Sequence, residues 1–304
     1  MTALRQPSPR PLGLRTSLIA CGRLLAAWVV STALGIAAEP ITAVSLFNAR
    51  SYPEAQTAFE ARLSANPADA EAHHYLGRLA LTRQSPEEAM PHLEQAALRA
   101  PANAEYQFYY GSGAMQAAAK LGVSFKALGL AKKGRIAMEK AVEIEPANVL
   151  YRQALIEFYS QAPAIAGGGM AKAYAQTNIL RAHDARAATL GLAGLKAREK
   201  KYAEAIALAE EMIKAAPDDY QALYLVGRLS AESGVSLDRG IAALRNCLNL
   251  TPPPRTVSHA AVNYRLGQAL LKQGDPAAAR AAYEAALKID PTYAAAKTAL
   301  DAMR

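Results

Sequence analysis

The sequence predicts an all-α solenoid of about seven stacked helix pairs, closed by a C-terminal capping helix. Prolines end its apolar helical stretches at spacings of 34, 45, 71, 35 and 39 residues, where 71 is close to twice 35. Such a period is typical of helix–turn–helix repeats. A single pair cannot bury its own apolar face, so neighbouring pairs must stack. The six prolines are Pro67, Pro101, Pro146, Pro217, Pro252 and Pro291.

The composition indicates a globular chain and argues against a nucleic-acid binder. The 304 residues are 52% hydrophobic and 20% charged, with a formal charge of +8. Four arginines (Arg5, Arg10, Arg15 and Arg23) lie in residues 1–37, which contain no Asp or Glu. Without that segment the charge falls to +4, from 30 basic and 26 acidic residues. This is too mild for a surface that must neutralise several phosphates.

The first 37 residues have the features of a secretory signal peptide. Residues 24–38 carry no charge, and as a helix they would span about 22 Å. A membrane crossing needs about 20 apolar residues, so this segment is short for an anchor. Gly35-Ile36-Ala37 gives the small-x-small pattern before a cleavage point. We therefore predict an exported, periplasmic protein cleaved between Ala37 and Ala38, with an uncleaved membrane anchor as the alternative.

The two cysteines predict neither a disulfide nor a metal cluster. Residues 18–21 match the short box that precedes a lipidated cysteine, but here the apolar segment follows Cys21 and Arg23 interrupts it. Lipidation at Cys21 is therefore not favoured. Cys247 would be alone in the processed chain, which rules out an intrachain disulfide. It occupies a position that holds alanine in other units, so we expect a small buried hydrophobe.

The last repeat carries a family pattern most completely. Its signature residues are Leu266, Gly267, Ala279, Tyr283 and Ala286, and the segment 70–103 matches through Leu76, Gly77, Ala89, Ala96 and Pro101. With these residues the chain resembles the tetratricopeptide repeat family. The resemblance implies a right-handed superhelical solenoid of tetratricopeptide helix pairs over residues 38–304. It is nearly silent on function, because the signature residues are structural.

The repeat pattern divides the chain into seven units and a cap. The units are 38–69, 70–103, 104–148, 149–185, 186–219, 220–259 and 260–293. A final helix over 294–303, with Leu300 and Met303 on one side, is predicted to cover the last apolar face. The fourth unit is degenerate, with Ile156 where a small residue is expected.

Small and large residues are predicted to complement each other between helices. Small residues on the first helix let the second approach closely, and large residues on the second fill the gap to the next unit. The small residues are Gly77, Gly111, Gly227 and Gly267, and the large ones are Phe59, Leu93, Met138, Leu244 and Tyr283.

The third unit contains an insertion, predicted as an extended helical hairpin over about 112–135. Gly111 and Gly134 are 23 residues apart where the family has 12, and the added segment is rich in alanine and leucine. Both helices should lengthen and project, with Ser124 as N-cap of the second. No acidic residue lies between 106 and 138. The hairpin carries five basic side chains: Lys120, Lys126, Lys132, Lys133 and Arg135. They are predicted either to face solvent or to form a second contact site, for an acidic partner or for lipid headgroups.

The fourth unit contains a glycine-rich loop, residues 160–169, before its second helix. No Gly-Lys-Ser/Thr follows and no strand precedes Gly167–Gly169, so neither nucleotide-binding pattern applies. We predict a tight inter-helix turn, with anion capture at the helix start as the alternative.

The sequence contains no recognisable catalytic or metal-binding constellation. Its five histidines show no metal-ligand spacing, and no Gly-x-Ser-x-Gly elbow occurs. We therefore predict a non-enzymatic protein without metal or cofactor. His73 stands where the repeat usually has a large aromatic residue and is predicted to pack.

The family resemblance implies a peptide groove on the first helices. Positions three before and one after the repeat glycine correspond to Ser112, Gln153, Glu157, Leu190 and Gly194, together with the candidate site residues His74, Arg78, Phe108, Tyr224, Arg228, Tyr264 and Gln268. Arg78 and Arg228 are predicted to hold a carboxylate through two parallel hydrogen bonds. Tyrosine and arginine are enriched at binding hot spots.

These observations predict a scaffold or adaptor that binds a protein or peptide in its concave groove, with association with an envelope complex as a further expectation. The alternative is an accessory carrier of a small ligand in a solute-uptake or envelope transport system. A carrier needs an apolar pocket, which we expect where the long third unit meets the glycine loop. A purely structural bridging role is the third alternative.

Overall fold

The computed structural model describes residues 42–254 and 256–303, which contain fifteen α-helices, one 3-10 helix and no strand. The predicted all-α class is confirmed. The predicted signal peptide, its cleavage point after Ala37 and Cys21 lie outside the described residues. The helices are α1 (Ala43–Asn48), α2 (Tyr52–Ala65), α3 (Ala70–Thr82), α4 (Pro86–Arg99), α5 (Ala104–Leu121), α6 (Phe125–Ile144), α7 (Val149–Gln161), η1 (Ala164–Ala166), α8 (Met170–Leu180), α9 (Ala185–Arg198), α10 (Tyr202–Ala215), α11 (Tyr220–Ser233), α12 (Leu237–Asn249), α13 (His259–Gln273), α14 (Pro276–Ile289) and α15 (Ala294–Asp301).

Consecutive helices pack in pairs, from α1–α2 to α13–α14, and each pair contacts the next. The seven pairs coincide with the seven predicted units. The cap α15 packs on α14, with Ala296 fully buried and Leu300 and Met303 half-buried against the core. Among the described helices, none is both long enough and apolar enough to cross a membrane.

Closing prolines and N-cap residues define the joints between units. Pro67 lies two residues after the end of α2, and two residues later the Asp69 side chain accepts a hydrogen bond from the Ala72 N–H. Pro101 and Asn103 repeat this spacing before α5. Proline cannot continue the helix, and an Asp or Asn side chain satisfies a free N–H at the next helix start.

The sixth residue after the proline ties three of these joints together. Its side chain lies within hydrogen-bond distance of the carbonyl of that proline. The pairs are His73 with Pro67 (3.2 Å), Gln107 with Pro101 (3.4 Å) and Arg152 with Pro146 (2.6 Å). The sequence pattern does not reveal this bond, because three different residue types make it.

Large side chains of the second helices lie against the glycines of their own units. A Cβ on Gly267 would lie 2.5 Å from the Tyr283 ring, and a Cβ on Gly227 would lie 2.2 Å from Leu244 Cγ. The prediction that these side chains only fill the gap to the next unit is therefore incomplete. Leu93 packs in both directions, because it lies against Gly77 of its own unit and also reaches Gly113 of the following unit.

The core is divided unevenly along the chain. The largest cluster of buried residues runs through α9–α15, and the second largest through α5–α9. Two much smaller clusters, around Phe59 and Leu93, serve the first two units. Cys247 is fully buried in the largest cluster, and burial raises the pKa of its thiol to about 12. This confirms the prediction of a small buried hydrophobe.

The extended hairpin of the third unit consists of two lengthened helices, as predicted. The α5 helix has 18 residues and α6 has 20, against 13 and 14 in the preceding α3 and α4. The two cross closely at Gly111 and Gly134, where a Cβ on either would lie 2.9 Å from the other's carbonyl oxygen. The Ser124 hydroxyl accepts from the Ala127 N–H, so the predicted N-cap is confirmed.

The glycine-rich loop forms a tight turn around η1. The Gly168 and Gly169 N–H groups donate to the carbonyls of Pro163 and Tyr159, at 3.2 and 2.8 Å. A Cβ on Gly168 would lie 1.8 Å from the Ala162 carbonyl oxygen, so only glycine fits there. The predicted turn is confirmed, and its internal hydrogen bonds leave these two N–H groups no capacity to hold an anion.

Candidate functional site

A cavity of about 560 Å³ opens along the first helices of units four, five and six. Its walls come from α7, α9 and α11, and the start of α10 closes one side. It is lined by Gln153, Ile156, Glu157, Leu190, Gly191, Gly194, Leu195, Ala197, Arg198, Tyr202, Arg228 and Glu232.

Charged groups of both signs surround an apolar floor in this cavity. The Arg228 guanidinium donates to both Glu232 carboxylate oxygens at 3.1 Å, one turn apart on α11. Arg198 of α9 pairs with Glu157 of α7 and so bridges two units. Both pairs are partly exposed, and such pairs are worth only about 0–1 kcal/mol. A ligand with its own charges can therefore replace either partner at small cost.

Part of the predicted groove lines this cavity. Gln153 and Glu157, Leu190 and Gly194, and Arg228 stand at the two predicted positions of three consecutive units, and all five line it. Gly194 leaves open space beside the floor, because a Cβ there would meet no atom within 4 Å.

Sequence reasoning missed three polar residues of the cavity. Arg198 follows Gly194 by four residues and Glu232 follows Arg228 by four, so extending the predicted face by one helical turn would have found both. Tyr202 begins the second helix of unit five and carries no such signal.

Two of the predicted groove residues are buried, and the structure gives them almost no exposed surface for the predicted ligand contact. The His74 side chain is 1% exposed and stacks on the Tyr106 ring at 4.5 Å. Phe108 is 9% exposed and stacks on Tyr151 at 4.7 Å. Aromatic neighbours from the same and adjacent helices cover both rings. His73 is half-buried and packs against the His92 ring at 5.3 Å, in agreement with its predicted packing role, while His74 is the fully buried histidine of the second unit.

Arg78 is held by its own protein rather than presented to a ligand. Its guanidinium carbon lies 4.7 Å from the Phe47 ring centroid, 5.2 Å from that of Tyr75 and 4.5 Å from that of Tyr109. Its Nη1 donates to Glu105 Oε1 at 3.0 Å. These contacts do not support the predicted role of Arg78 as a carboxylate clamp, since the cage already occupies the cation, and that role stays a prediction.

The remaining predicted groove residues lie outside the cavity. Tyr224 is half-buried against the core of the last three units. Tyr264 is also half-buried, and its hydroxyl accepts from Gln268 Nε2 at 2.9 Å. Their binding role stays a prediction.

The two histidines of α3 and α4 contact each other through their Nδ1 atoms, so at most one of these two nitrogens carries a proton. His73 Nδ1 lies 3.0 Å from His92 Nδ1, and His73 Nε2 lies 3.2 Å from the Pro67 carbonyl. We assign the proton of His73 to Nε2, so that its Nδ1 accepts from His92. Burial lowers the pKa of His92 below its usual value, and the nearby His73 lowers it further. Burial also lowers the pKa of His74.

We expect acidification from pH 7.5 to pH 5.5 to destabilise the protein. A lowered folded-state pKa means that the unfolded chain takes up protons first, so stability is complete above pH about 6.5 and falls below it. Carboxylates begin to lose their contribution only near pH about 4, which leaves this window to the histidines. Urea unfolding at both pH values measures the effect. His92→Asn should reduce the loss, and equal midpoints for the parent protein would contradict the expectation.

Three of the five basic side chains of the hairpin are held in ion pairs and are not free to contact a partner. Lys120 pairs with Glu87 at 2.6 Å and Lys133 with Glu94 at 3.0 Å, both with exposed side chains. Arg135 is not part of an exposed basic face, because it pairs with Glu139 at 2.7 Å and lies under the glycine loop. Of the five basic side chains of the hairpin, Lys126 and Lys132 are exposed and have no ion pair among the described residues.

A second cavity, of about 660 Å³, lies where the hairpin tip meets the glycine loop. This is where the carrier alternative requires an apolar pocket. Ser124 supplies the one polar side chain of its lining, so a polar solute would find few groups to fix its orientation. The geometry does not favour the carrier. The lining residues are Ala118, Gly122, Val123, Ser124, Phe125, Ala127, Leu128, Ala131, Pro163, Ile165 and Ala166.

Within residues 42–254 and 256–303, no three His, Cys, Asp or Glu side chains converge as metal ligands. The buried Cys247 thiol, with its raised pKa, is unsuited to nucleophilic attack.

Stacked helix pairs with a cavity on the first helices define the class of helical repeat proteins. Residues 42–105 and 260–293 match models of the tetratricopeptide repeat. These two segments therefore match the tetratricopeptide repeat, as the residue pattern predicts. A search of curated proteins gives no match.

Solved structures support the same fold over most of the chain. A tetratricopeptide repeat protein from Parabacteroides merdae aligns with a TM-score of 0.63 at 16% identity, over 85% of this chain and 94% of that one. Yeast Tom70 aligns with a TM-score of 0.62 at 16% identity, over 84% of this chain and 51% of its own. Cut9, in its complex with Hcn1, gives 0.54 at 15% identity, over 85% and 47%. At such identities the likeness shows the fold alone.

Proposed function

We propose that the chain is a non-enzymatic scaffold that binds a peptide or protein segment in the cavity of units four to six. One observation carries the proposal: the cavity is lined at the predicted groove positions of three consecutive units, by side chains from α7, α9 and α11. A ligand spanning these units would lie across stacked first helices, each of which contributes contacts.

The lining indicates the chemistry of the segment. Ile156, Leu190 and Leu195 give an apolar floor, which suits an aliphatic or aromatic side chain. The pairs Arg198–Glu157 and Arg228–Glu232 offer both charge signs beside that floor. An extended segment with one apolar anchor flanked by charged residues matches this arrangement. Cut9, which has a similar fold, is found in a hetero-tetramer with Hcn1, and this agrees with a role in assembly.

Gly194→Leu is expected to abolish segment binding without harming the fold. The new side chain would project into open space and fill the cavity. Leucine also favours the helix by about 0.8 kcal/mol over glycine, so thermal stability should not fall. A photo-crosslinker at Gln153, placed in the native cell, measures capture: the partner should be joined in the parent and lost in the variant.

Gly129→Leu is the matched control. Gly129 lies in α6, and a Cβ there also meets no atom within 4 Å. The control should therefore retain the crosslink. Capture that survives Gly194→Leu, or is lost equally in both variants, would move the binding site away from this cavity.

We further propose export to the periplasm with removal of residues 1–37. The first described helix begins at Ala43, so cleavage after Ala37 leaves every described helix intact. N-terminal sequencing of protein recovered from the periplasm should begin at Ala38. Because Trp28 is the only tryptophan, the processed protein should also lack tryptophan fluorescence. An intact N-terminus would refute the processing.

A further inference from the structure

The tip of the extended hairpin exposes large apolar side chains to solvent. Between the end of α5 and the start of α6, Val123 is fully exposed, Phe125 is 96% exposed and Leu121 is 43% exposed. Ile165, from the glycine loop beside them, is 68% exposed. We call residues 119–126 with Ile165 the hairpin tip. Apolar residues grouped on a surface in this way mark an interaction site.

The apolar surface of the hairpin tip continues inward. The cavity of about 660 Å³ described above begins at Val123 and Phe125 and runs between α6 and η1. Leu128 and Ala131 extend its wall along α6. Because Ser124 is its one polar side chain, the cavity suits a hydrocarbon group better than a polar one.

Cationic side chains surround the hairpin tip. Lys120 precedes the apolar residues and Lys126 follows them directly, while Lys132 is exposed further along α6. Lys126 and Lys132 have no ion-pair partner among the described residues. No acidic residue lies between Glu105 and Glu139, so neither helix of the hairpin offers a carboxylate near Lys126.

We propose that the hairpin tip docks on a membrane that contains anionic phospholipid. Phe125, Val123 and Leu121 enter the boundary between headgroups and acyl chains, and the lysines contact the phosphates. Apolar side chains with cations beside them are the usual composition of interfacial membrane binders. A bilayer also accepts a protruding apolar group without a complementary shape, which a folded protein surface would have to supply.

This surface is separate from the proposed binding groove. The groove is built by α7, α9 and α11, whereas the hairpin tip is the far end of α5 and α6. No residue lines both cavities, so one chain can hold a protein segment and a membrane together.

A single tryptophan placed at the hairpin tip tests the proposal. In the full chain, Trp28→Phe removes the native tryptophan and Phe125→Trp introduces the probe. Leu98→Trp is the matched control, since Leu98 is 66% exposed on α4. Vesicles of phosphatidylcholine are compared with vesicles that also contain phosphatidylglycerol. Local probes are needed because the apolar residues 24–38 could attach the full chain to vesicles by themselves.

The expected result is a blue shift of the Phe125→Trp probe with the anionic vesicles only, together with quenching by lipids brominated on their acyl chains. Leu98→Trp should show neither. In the Phe125→Trp background, Lys126→Gln and Lys132→Gln should each raise the lipid concentration at half-shift about fivefold. Lys120→Gln should raise it less, because Lys120 is paired with Glu87. Leu121→Ser with Val123→Ser should raise it about tenfold.

Three results would overturn the proposal. They are no shift of the Phe125→Trp probe, an equal shift of both probes, and a shift independent of phosphatidylglycerol. A shift produced by an added protein but not by vesicles would replace the membrane with a protein partner. Circular dichroism of each variant should match the parent, because the substituted side chains are largely exposed.

Discussion

Tyr283→Ala is expected to lower the free energy of unfolding by about 3–5 kcal/mol, as for other buried aromatic residues. The ring is 2% exposed and fills the space that Gly267 leaves on α13. Packed helices around it cannot collapse into the gap, so a cavity remains. Urea unfolding measures the loss, and hydrogen exchange should locate the lost protection in α13–α15.

Ile289→Ala, on the same helix, is the control for this prediction. Its side chain is 52% exposed, and its removal should change the stability by less than about 0.5 kcal/mol. Equal losses for the two variants would show that the packing of Tyr283 on Gly267 has no special weight.

Arg78→Ala is expected to destabilise the protein by about 2–3 kcal/mol, while Arg228→Ala should cost less than about 0.5 kcal/mol. Arg78 holds three aromatic rings and Glu105, and each cation–π contact is worth about 0.5–1 kcal/mol or more when desolvated. Arg228 makes one partly exposed ion pair with Glu232.

Binding should show the opposite order in the same two variants. Arg228→Ala should weaken capture of the segment, because Arg228 lines the proposed groove. Arg78→Ala should leave capture unchanged under conditions where it remains folded. Chemical denaturation and crosslinking yield measure the two effects. If Arg78→Ala weakened capture and kept its stability, the cage would have to be read as a ligand site.

These two arginines show that the sequence predicts the position of a residue on its helix but not its surroundings. Each directly follows a repeat glycine, so the pattern places both correctly on their helices. Their environments differ because Phe47 and Tyr109 come from neighbouring units and surround only Arg78. No local pattern encodes a contact between residues so far apart in the chain.

Local chemistry explains why the boundaries between units were predictable. Proline ends a helix and an Asp or Asn two residues later starts the next, so Pro67 with Asp69 marks a joint by itself. Part of the cavity was predictable for the same reason, since Gln153 and Glu157 keep the spacing of one helical face. The exposure of Val123 and Phe125 was not, because it depends on how far the lengthened hairpin extends past its neighbours.

The uneven core implies a direction of folding. Ribosomes make the N-terminal units first, yet these rest on the two smallest apolar clusters, while the last three units share the largest. The segment best able to nucleate is therefore completed last. The two N-terminal units are therefore expected to gain much of their stability by stacking on neighbours that have already folded.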